Sequence, residues 1–268
     1  MSLSDAQISA EARLLDEAER KRTQIRQTTS VHPGMTIEDA CRIQAAWLGL
    51  RLERGERLIG HKIGLTSHAM QQAMNITTPD SGFLTEAMVF SPGEGPPAGD
   101  FCDPRIEVEL AFVLGCDLAG ADLEIDDVLD ATDYVTPAVE LIAARTFRTD
   151  PNTGRTRSVI DTIADNAADA GIICGGHRVG PREVDLRWVG ALAYRNGTIT
   201  ETGLAAGVLD HPARGIVWLA RRYASQGRSL EEGQTILAGS FTRPMPVRPG
   251  DEFGFDYGPL GASEVEFG

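Results

Sequence analysis

Arg105-Ile-Glu-Val-Glu-Leu-Ala-Phe-Val-Leu114 is the stretch on which the reading of this 268-residue chain turns. Its composition is that of a strand with a period of two: Ile106, Val108 and Leu110 point one way, Glu107 and Glu109 the other. Two carboxylates at i and i+2 stand about 6.5–7 Å apart along a strand. Two readings fit this alternation, a polar side turned to solvent or a pair of acids turned into a site. Glu140, in Thr136-Pro-Ala-Val-Glu-Leu-Ile-Ala-Ala144, lies among apolar residues on a second strand-like run, Tyr134–Ala144. Burying such a group is costly unless it is paired or bound to a cation. A salt bridge to Arg105 or Arg145 would meet that requirement. So would convergence of Glu107, Glu109 and Glu140 on a hard divalent ion, since all-oxygen ligands select Mg2+ or Mn2+.

Outward from these strands the chain reads as an α+β plan. Ser4-Asp-Ala-Gln7 and Thr36-Ile-Glu-Asp39 are capping boxes that open two helices, the second stopping near Gly55, with turn chemistry at Ser30–Gly34 between them. His61–Thr66 reads as a short strand, Ser67–Met74 as a short helix, and Ser91–Asp100 as a Pro/Gly connector without regular structure. Helices are expected over Leu123–Ala131, over Asp161–Ala170 with Gly171 as its stop, and from about Pro212 to Gly227. Thr149–Ser158 is a long polar loop, and the last 35 residues read as a β-meander. Residues 1–75 are thus expected as an N-terminal helical region and 76–268 as a catalytic β-rich domain.

Composition narrows the function. Twenty-five Lys+Arg against 39 Asp+Glu give a formal charge of −14, which argues against a nucleic-acid or acidic-lipid binder. The four cysteines are scattered without a C-x-x-C, and no segment approaches a membrane span, so a cytoplasmic protein without disulfides is expected. Among candidate chemical groups, Lys62 sits between Gly60 and Gly64 with little acidic company in sequence, and reads as a proton-transfer amine or a surface lysine. Asp80 alone reads as a turn residue; Ser240 and Arg243 fit a carboxylate-binding turn or ordinary surface. No histidine forms H-x-x-H, H-x-x-x-H or H-x-x-E, and no G-x-S-x-G or phosphate loop is present.

Together, His61–Ser67 (HKIGLTS), Pro104–Leu114 (PRIEVELAFVL), Ala131–Leu141 (ATDYVTPAVEL), Asp161–Gly171 (DTIADNAADAG) and Gly239–Pro244 (GSFTRP) resemble the fumarylacetoacetate hydrolase superfamily, in its hydratase/decarboxylase branch. The resemblance spans nearly the whole chain. It implies a mixed β-sandwich roll with an N-terminal helical region, and Mg2+ or Mn2+ held by Glu107, Glu109 and Glu140. It implies a hydro-lyase of aromatic meta-cleavage catabolism, converting 2-oxo-hept-3-ene-1,7-dioate to 4-hydroxy-2-oxoheptanedioate. Lys62 and Asp80 would then transfer protons, Ser240 and Thr242 would contact substrate, and Arg243 or Arg145 would meet its far carboxylate. A homo-oligomer, pentamer or decamer, is implied as well. Decarboxylation of 2-oxo-3-hexenedioate (4-oxalocrotonate) and a non-catalytic, metal-stabilised assembly subunit are the competing expectations.

Overall fold

The computed structural model describes residues 2–67, 71–72 and 78–268. The chain opens with helices α1 (Asp5–Lys21) and α3 (Ile37–Glu53), joined through a single helical turn, α2 (Thr28–Val31), which takes in part of the expected turn at Ser30–Gly34. Both capping boxes form: Ser4 with Gln7, and Thr36 with Asp39. The helices pack on each other through Ala12 and Leu15 of α1 and Ala40, Ile43 and Trp47 of α3, all fully buried. Most of the helix expected over Ser67–Met74 lies outside the described residues.

The larger sheet contains β1 (Leu58–Gly64), β2 (Asp80–Thr85), β3 (Val89–Phe90), β5 (Arg105–Leu114), β6 (Thr132–Ile142), β7 (Asp169–Cys174), β10 (Thr235–Leu237) and β11 (Met245–Pro246). Its order is β2-β1-β10-β5-β6-β7-β3, with β11 beside β5. Within the stretch expected as helical to residue 75, the described residues Leu58–Gly64 are strand. The strand Leu58–Gly64 belongs to the sheet because its backbone is claimed on both sides, by β2 and by β10. The second sheet runs β4-β13-β12-β8-β9, from β4 (Gly93–Glu94), β8 (Gly190–Arg195), β9 (Thr198–Leu204), β12 (Asp251–Asp256) and β13 (Ala262–Phe267).

The period-two reading of β5 decides which side each residue takes. Ile106, Val108, Leu110 and Phe112, with Val139 and Leu141 of β6, enter one core shared with Ala191, Phe253 and Phe255 of the second sheet. Ala111 and Ala138, on the opposite face, join the core made with Trp47, Ile43 and Phe83 under the N-terminal helices. Glu107, Glu109 and Glu140 share that second face.

Three sequence expectations change. The helix from residue 161 is short, α5 (Val159–Ala164), and residues 169–174 are strand. Gly171 lies inside that strand, where a Cβ would stand 2.4 Å from Phe90 Cε2, so its missing side chain serves packing and not a helix stop. The expected C-terminal meander divides between the sheets: β12 and β13 form a hairpin, while Thr235–Leu237 and Met245–Pro246 pair with β5. The Ser91–Asp100 connector contributes two residues of strand, Gly93–Glu94, against β13. The remaining helices, α4 (Ile125–Ala131) and α6 (Ala213–Ala224), fall where the periodicity places them. Among the described residues, no helix is long and apolar enough to cross a membrane.

Candidate active site and metal centre

Strand register brings the three acids together. Glu107 and Glu140 are direct partners in the antiparallel β5–β6 pair, and Glu109 follows two residues along on the same face. One carboxylate oxygen from each lies within 4.8 Å of the others. Glu109 Oε2 accepts a hydrogen bond from Gly239 N at 2.8 Å. That amide is available because residue 239 is glycine at φ +114°; a Cβ there would meet Thr66 Oγ1 at 2.2 Å. Glu140 Oε1 is buried without a hydrogen bond, and the Lys62 ammonium lies 3.3 Å away. The partner of Glu140 is thus Lys62, not Arg105 or Arg145.

Lys62 and Asp80 come from the neighbouring pair β1–β2, where Gly64 opposes Asp80 and Lys62 opposes Gly82. The two glycines leave the space that the amine and the carboxylate fill. A Cβ on Gly64 would lie 2.3 Å from Asp80 Oδ1 and 3.0 Å from Lys62 Nζ, so both groups flank one small volume. Asp80 Oδ1 is buried and has no hydrogen-bond partner.

The electrostatics follow from this crowding. Burial, then the charge of Glu140, pushes Glu107 up to about 8. The same two causes, joined by Glu107, hold Glu109 well above the usual carboxylate range. Burial raises Asp80, against the opposing pull of Lys62. For Lys62, burial favours the neutral amine, but Glu140, Asp80, Asp169 and Glu107 outweigh it and the pKa is raised; Lys62 is an ammonium. Acids that resist ionising together, with a buried oxygen left unbonded, suit a hard divalent cation, which repays the repulsion that water cannot.

All five groups line one cavity of about 980 Å3. Ser240, Thr242 and Arg243 line it too, but their polar atoms are engaged. Ser240 Oγ donates to Val108 O at 3.2 Å or to Thr242 O at 3.0 Å, and Thr242 Oγ1 accepts from Val108 N at 3.1 Å, fastening this turn to β5. Arg243 is 84% exposed at the rim and pairs with Glu201 at 2.9 Å. Arg145 corrects the sequence reading. It is 1% exposed and outside the cavity wall, its Nε 2.6 Å from Asp165 Oδ1 and its guanidinium 4.9 Å over the Trp47 ring. That guanidinium is spent holding the loop after α5, so it cannot also receive a substrate. Sequence reasoning missed Asp169, a buried carboxylate whose pKa is driven well up by burial and Glu140, and Arg148 and Arg157, which line the cavity. For the arginines the available signal was their position at the two ends of the polar loop. Among the described residues, no histidine lines the cavity.

The two-sheet roll, the acid triad and the facing lysine–aspartate pair place the chain in a known group: it belongs to the fumarylacetoacetate hydrolase superfamily, in the branch of hydratases and decarboxylases acting on 2-oxo acids. It is 54% identical over 256 residues to 2-oxo-hept-4-ene-1,7-dioate hydratase of Escherichia coli, covering 96% of each chain. Among solved structures, 4-oxalocrotonate decarboxylase from Pseudomonas putida G7, complexed with magnesium and adipate, superposes with a TM-score of 0.93 at 33% identity, covering 99% of this chain and 98% of that one. A fumarylacetoacetate hydrolase family protein from Yersinia pestis CO92 shares the fold alone, with a TM-score of 0.56 at 17% identity over 77% of this chain and 91% of that one. No protein-family model matches the chain.

Proposed function

We propose that this protein is a divalent-cation-dependent hydro-lyase of aromatic meta-cleavage catabolism, which adds water across the C=C of a seven-carbon 2-oxo-alkenedioate to give 4-hydroxy-2-oxoheptanedioate. The observation that carries this reading is the meeting of three carboxylates from adjacent strands in one cavity with Lys62 and Asp80. The 54% identity to a hydratase over nearly the full chain supports water addition. Glu107, Glu109 and Glu140 would hold Mg2+ or Mn2+, which supplies Lewis-acid stabilisation of negative charge at the ketone oxygen of a 2-oxo acid.

The chain's own groups account for the proton movements. The relative is named for the 4-ene, in which the double bond is one carbon too far from the ketone for conjugate addition. Asp80 Oδ1, without a hydrogen bond, takes the proton from C3. Lys62 Nζ, cationic beside it, delivers a proton at C5, and the double bond moves to C3, the conjugated isomer expected from sequence. Neutral Lys62 then takes a proton from the water that adds at C4, and Asp80 returns its proton to C3, so that both groups end in the charge states in which they began.

The decarboxylase reading has its own support, the TM-score of 0.93 to 4-oxalocrotonate decarboxylase. A turnover panel of C5, C6 and C7 2-oxo-alkenoates, with Mg2+ and with EDTA, separates the readings by product. A hydroxylated C7 dioate is expected; CO2 release marks the decarboxylase, and no turnover of any member marks the assembly subunit. Lys62→Ala and Asp80→Ala should each lower kcat by about 100-fold or more while bound cation is retained. Near-wild-type turnover would remove those side chains from the mechanism.

The reading also carries a cytoplasmic homo-oligomer, a pentamer or decamer. Trp188, 72% exposed, with Leu192, Ile199 and Leu204 on or beside the edge pair β8–β9, gives an apolar face suited to a second copy.

A further inference from the structure

The cavity has a cationic pole that the proton movements leave unused. Arg148 and Arg157 both line it. They stand at the ends of the loop Thr149–Ser158, and this loop closes on itself. Arg157 N donates to Arg148 O at 2.9 Å, and Thr149 bridges Thr156. Asp150 accepts from Asn152 N and Thr153 N at the tip, at 2.8 and 2.9 Å. Gln27 Nε2 donates to Phe147 O and Arg155 O at 3.1 and 2.8 Å, pinning the loop against the start of α2. The closed loop therefore fixes two arginines as cross-strand neighbours on the cavity wall.

Their charge is incompletely met. The Arg157 side chain is 10% exposed, and its carboxylate contact, Asp165 Oδ2, is 3.5 Å away on a residue already held by Arg145 at 2.6 Å. Arg148 Nε donates to Asp103 Oδ2 at 2.5 Å, but Arg105, whose buried Nε has no hydrogen-bond partner, draws on the same carboxylate at 3.6 Å, so one acid faces two guanidinium groups. Burial, then Arg148, pulls Arg157 down to about 10, the opposite of Arg145, whose pKa its acid partners raise. In a chain of net charge −14, this local surplus sits on the cavity wall.

We infer that Arg157 and Arg148 form the subsite for the distal carboxylate of a dicarboxylic substrate, and so determine specificity for 2-oxo-alkenedioates over monoacids. The proposal rests on the hydratase reading for the identity of the substrate, and deepens it. The acid triad and the arginine pair belong to one cavity, so with a divalent cation held by the triad a substrate anionic at both ends would meet positive charge at both. A monoacid would leave two enclosed guanidinium groups facing an apolar tail, and sites built for a charged group reject analogues that lack it. Arg243, largely exposed to solvent at the rim, and Arg145, outside the wall, do not compete for this role.

The test uses the cation-loaded full chain, with Arg157→Gln, Arg148→Gln and Arg157→Lys. Specificity constants are measured for 2-oxohept-4-ene-1,7-dioate and 2-oxopent-4-enoate, and binding of adipate and hexanoate by calorimetry. In the Gln variants the dioate-to-monoacid ratio should fall about 10- to 100-fold, mainly through KM, and the adipate-to-hexanoate affinity ratio should fall with it. Arg157→Lys should restore part of both ratios. Unchanged ratios, or equal losses on both substrates with kcat reduced, would overturn the subsite; equal losses mark a merely structural arginine. If the wild type hydrates no 2-oxo-alkenoate, the functional reading fails, and the adipate-to-hexanoate ratio still decides the subsite. Should Arg157→Gln not fold, Arg148→Gln carries the same measurement.

Discussion

Glu107 and Glu140 face each other as direct register partners across β5 and β6, so the centre of the site is fixed by backbone pairing between two long strands and not by loops. Only Glu140 of the two also meets an ammonium, that of Lys62 at 3.3 Å. This asymmetry gives the acids opposite roles in the cation-free protein.

Glu107→Gln removes one of three mutually repelling acids and leaves the Lys62–Glu140 pair intact. Its cation-free form should melt at or above the wild-type temperature. Glu140→Gln leaves Lys62 short of its nearest counter-charge and should destabilise by about 3 kcal/mol. Both should weaken Mg2+ binding by about 100-fold or more. Calorimetric titration with Mg2+ and thermal melts in EDTA check this; equal melting shifts in the two variants would contradict it.

The raised Glu107 pKa sets a pH dependence. A carboxyl whose folded pKa is about 8 against an ordinary 4.5 contributes stability fully below 4.5, lost as pH rises towards 8. The cation-free protein should therefore lose stability across that window from this group. Saturating Mg2+ should reverse the trend, because binding takes the ionised form and releases protons. Cation affinity rises with pH over the same range. Calorimetry in buffers of different ionisation heat counts the protons, and a count of zero would refute the account.

His61 acts on the acid side. Burial, then Arg228, holds its pKa down at about 3 against an ordinary 6.5, and Tyr223 Oη lies 3.1 Å from its Nδ1. A base kept neutral in the fold contributes stability that is present above 6.5 and lost as pH falls towards 3. Between pH 6.5 and about 4 that loss should be on the order of 3 kcal/mol. Denaturant melts of His61→Gln should show a shallower acid limb than the wild type; superimposable limbs would rule His61 out.

Gly64→Ala tests the Lys62–Asp80 space directly. The new methyl would stand 2.3 Å from Asp80 Oδ1, and must push that short, enclosed carboxylate aside. We expect kcat to drop by about 10-fold or more, with Mg2+ affinity within about twofold of wild type, because the acid triad lies on other strands. Steady-state kinetics and titration on one preparation decide it; unchanged kcat would mean that Asp80 need not occupy that position.

Local signals carried much of this architecture. The capping boxes at Ser4 and Thr36 and the alternation from Arg105 to Leu114 are written within a few residues, and each forms as read. The acid triad was legible because Glu140 sits in an apolar run where an unpaired charge has no ordinary explanation. What the sequence concealed depends on partners far along the chain. Gly171 looks like a helix stop until Phe90 is placed against it. Arg145 looks like a free cation until Asp165 and Trp47 are seen to occupy it. The Arg148–Arg157 pairing exists only once the intervening loop folds back. Likewise, Lys62 gives no hint in its own neighbourhood that Glu140 will be its counter-charge.

The parallel pairing of Lys62 with Leu237, and the hold of Gly239 on Glu109, carry a consequence for biosynthesis. A ribosome must pass residue 237 before the strand bearing the lysine gains its central neighbour. Nascent fragments ending earlier would display the acids without the amide that steadies them.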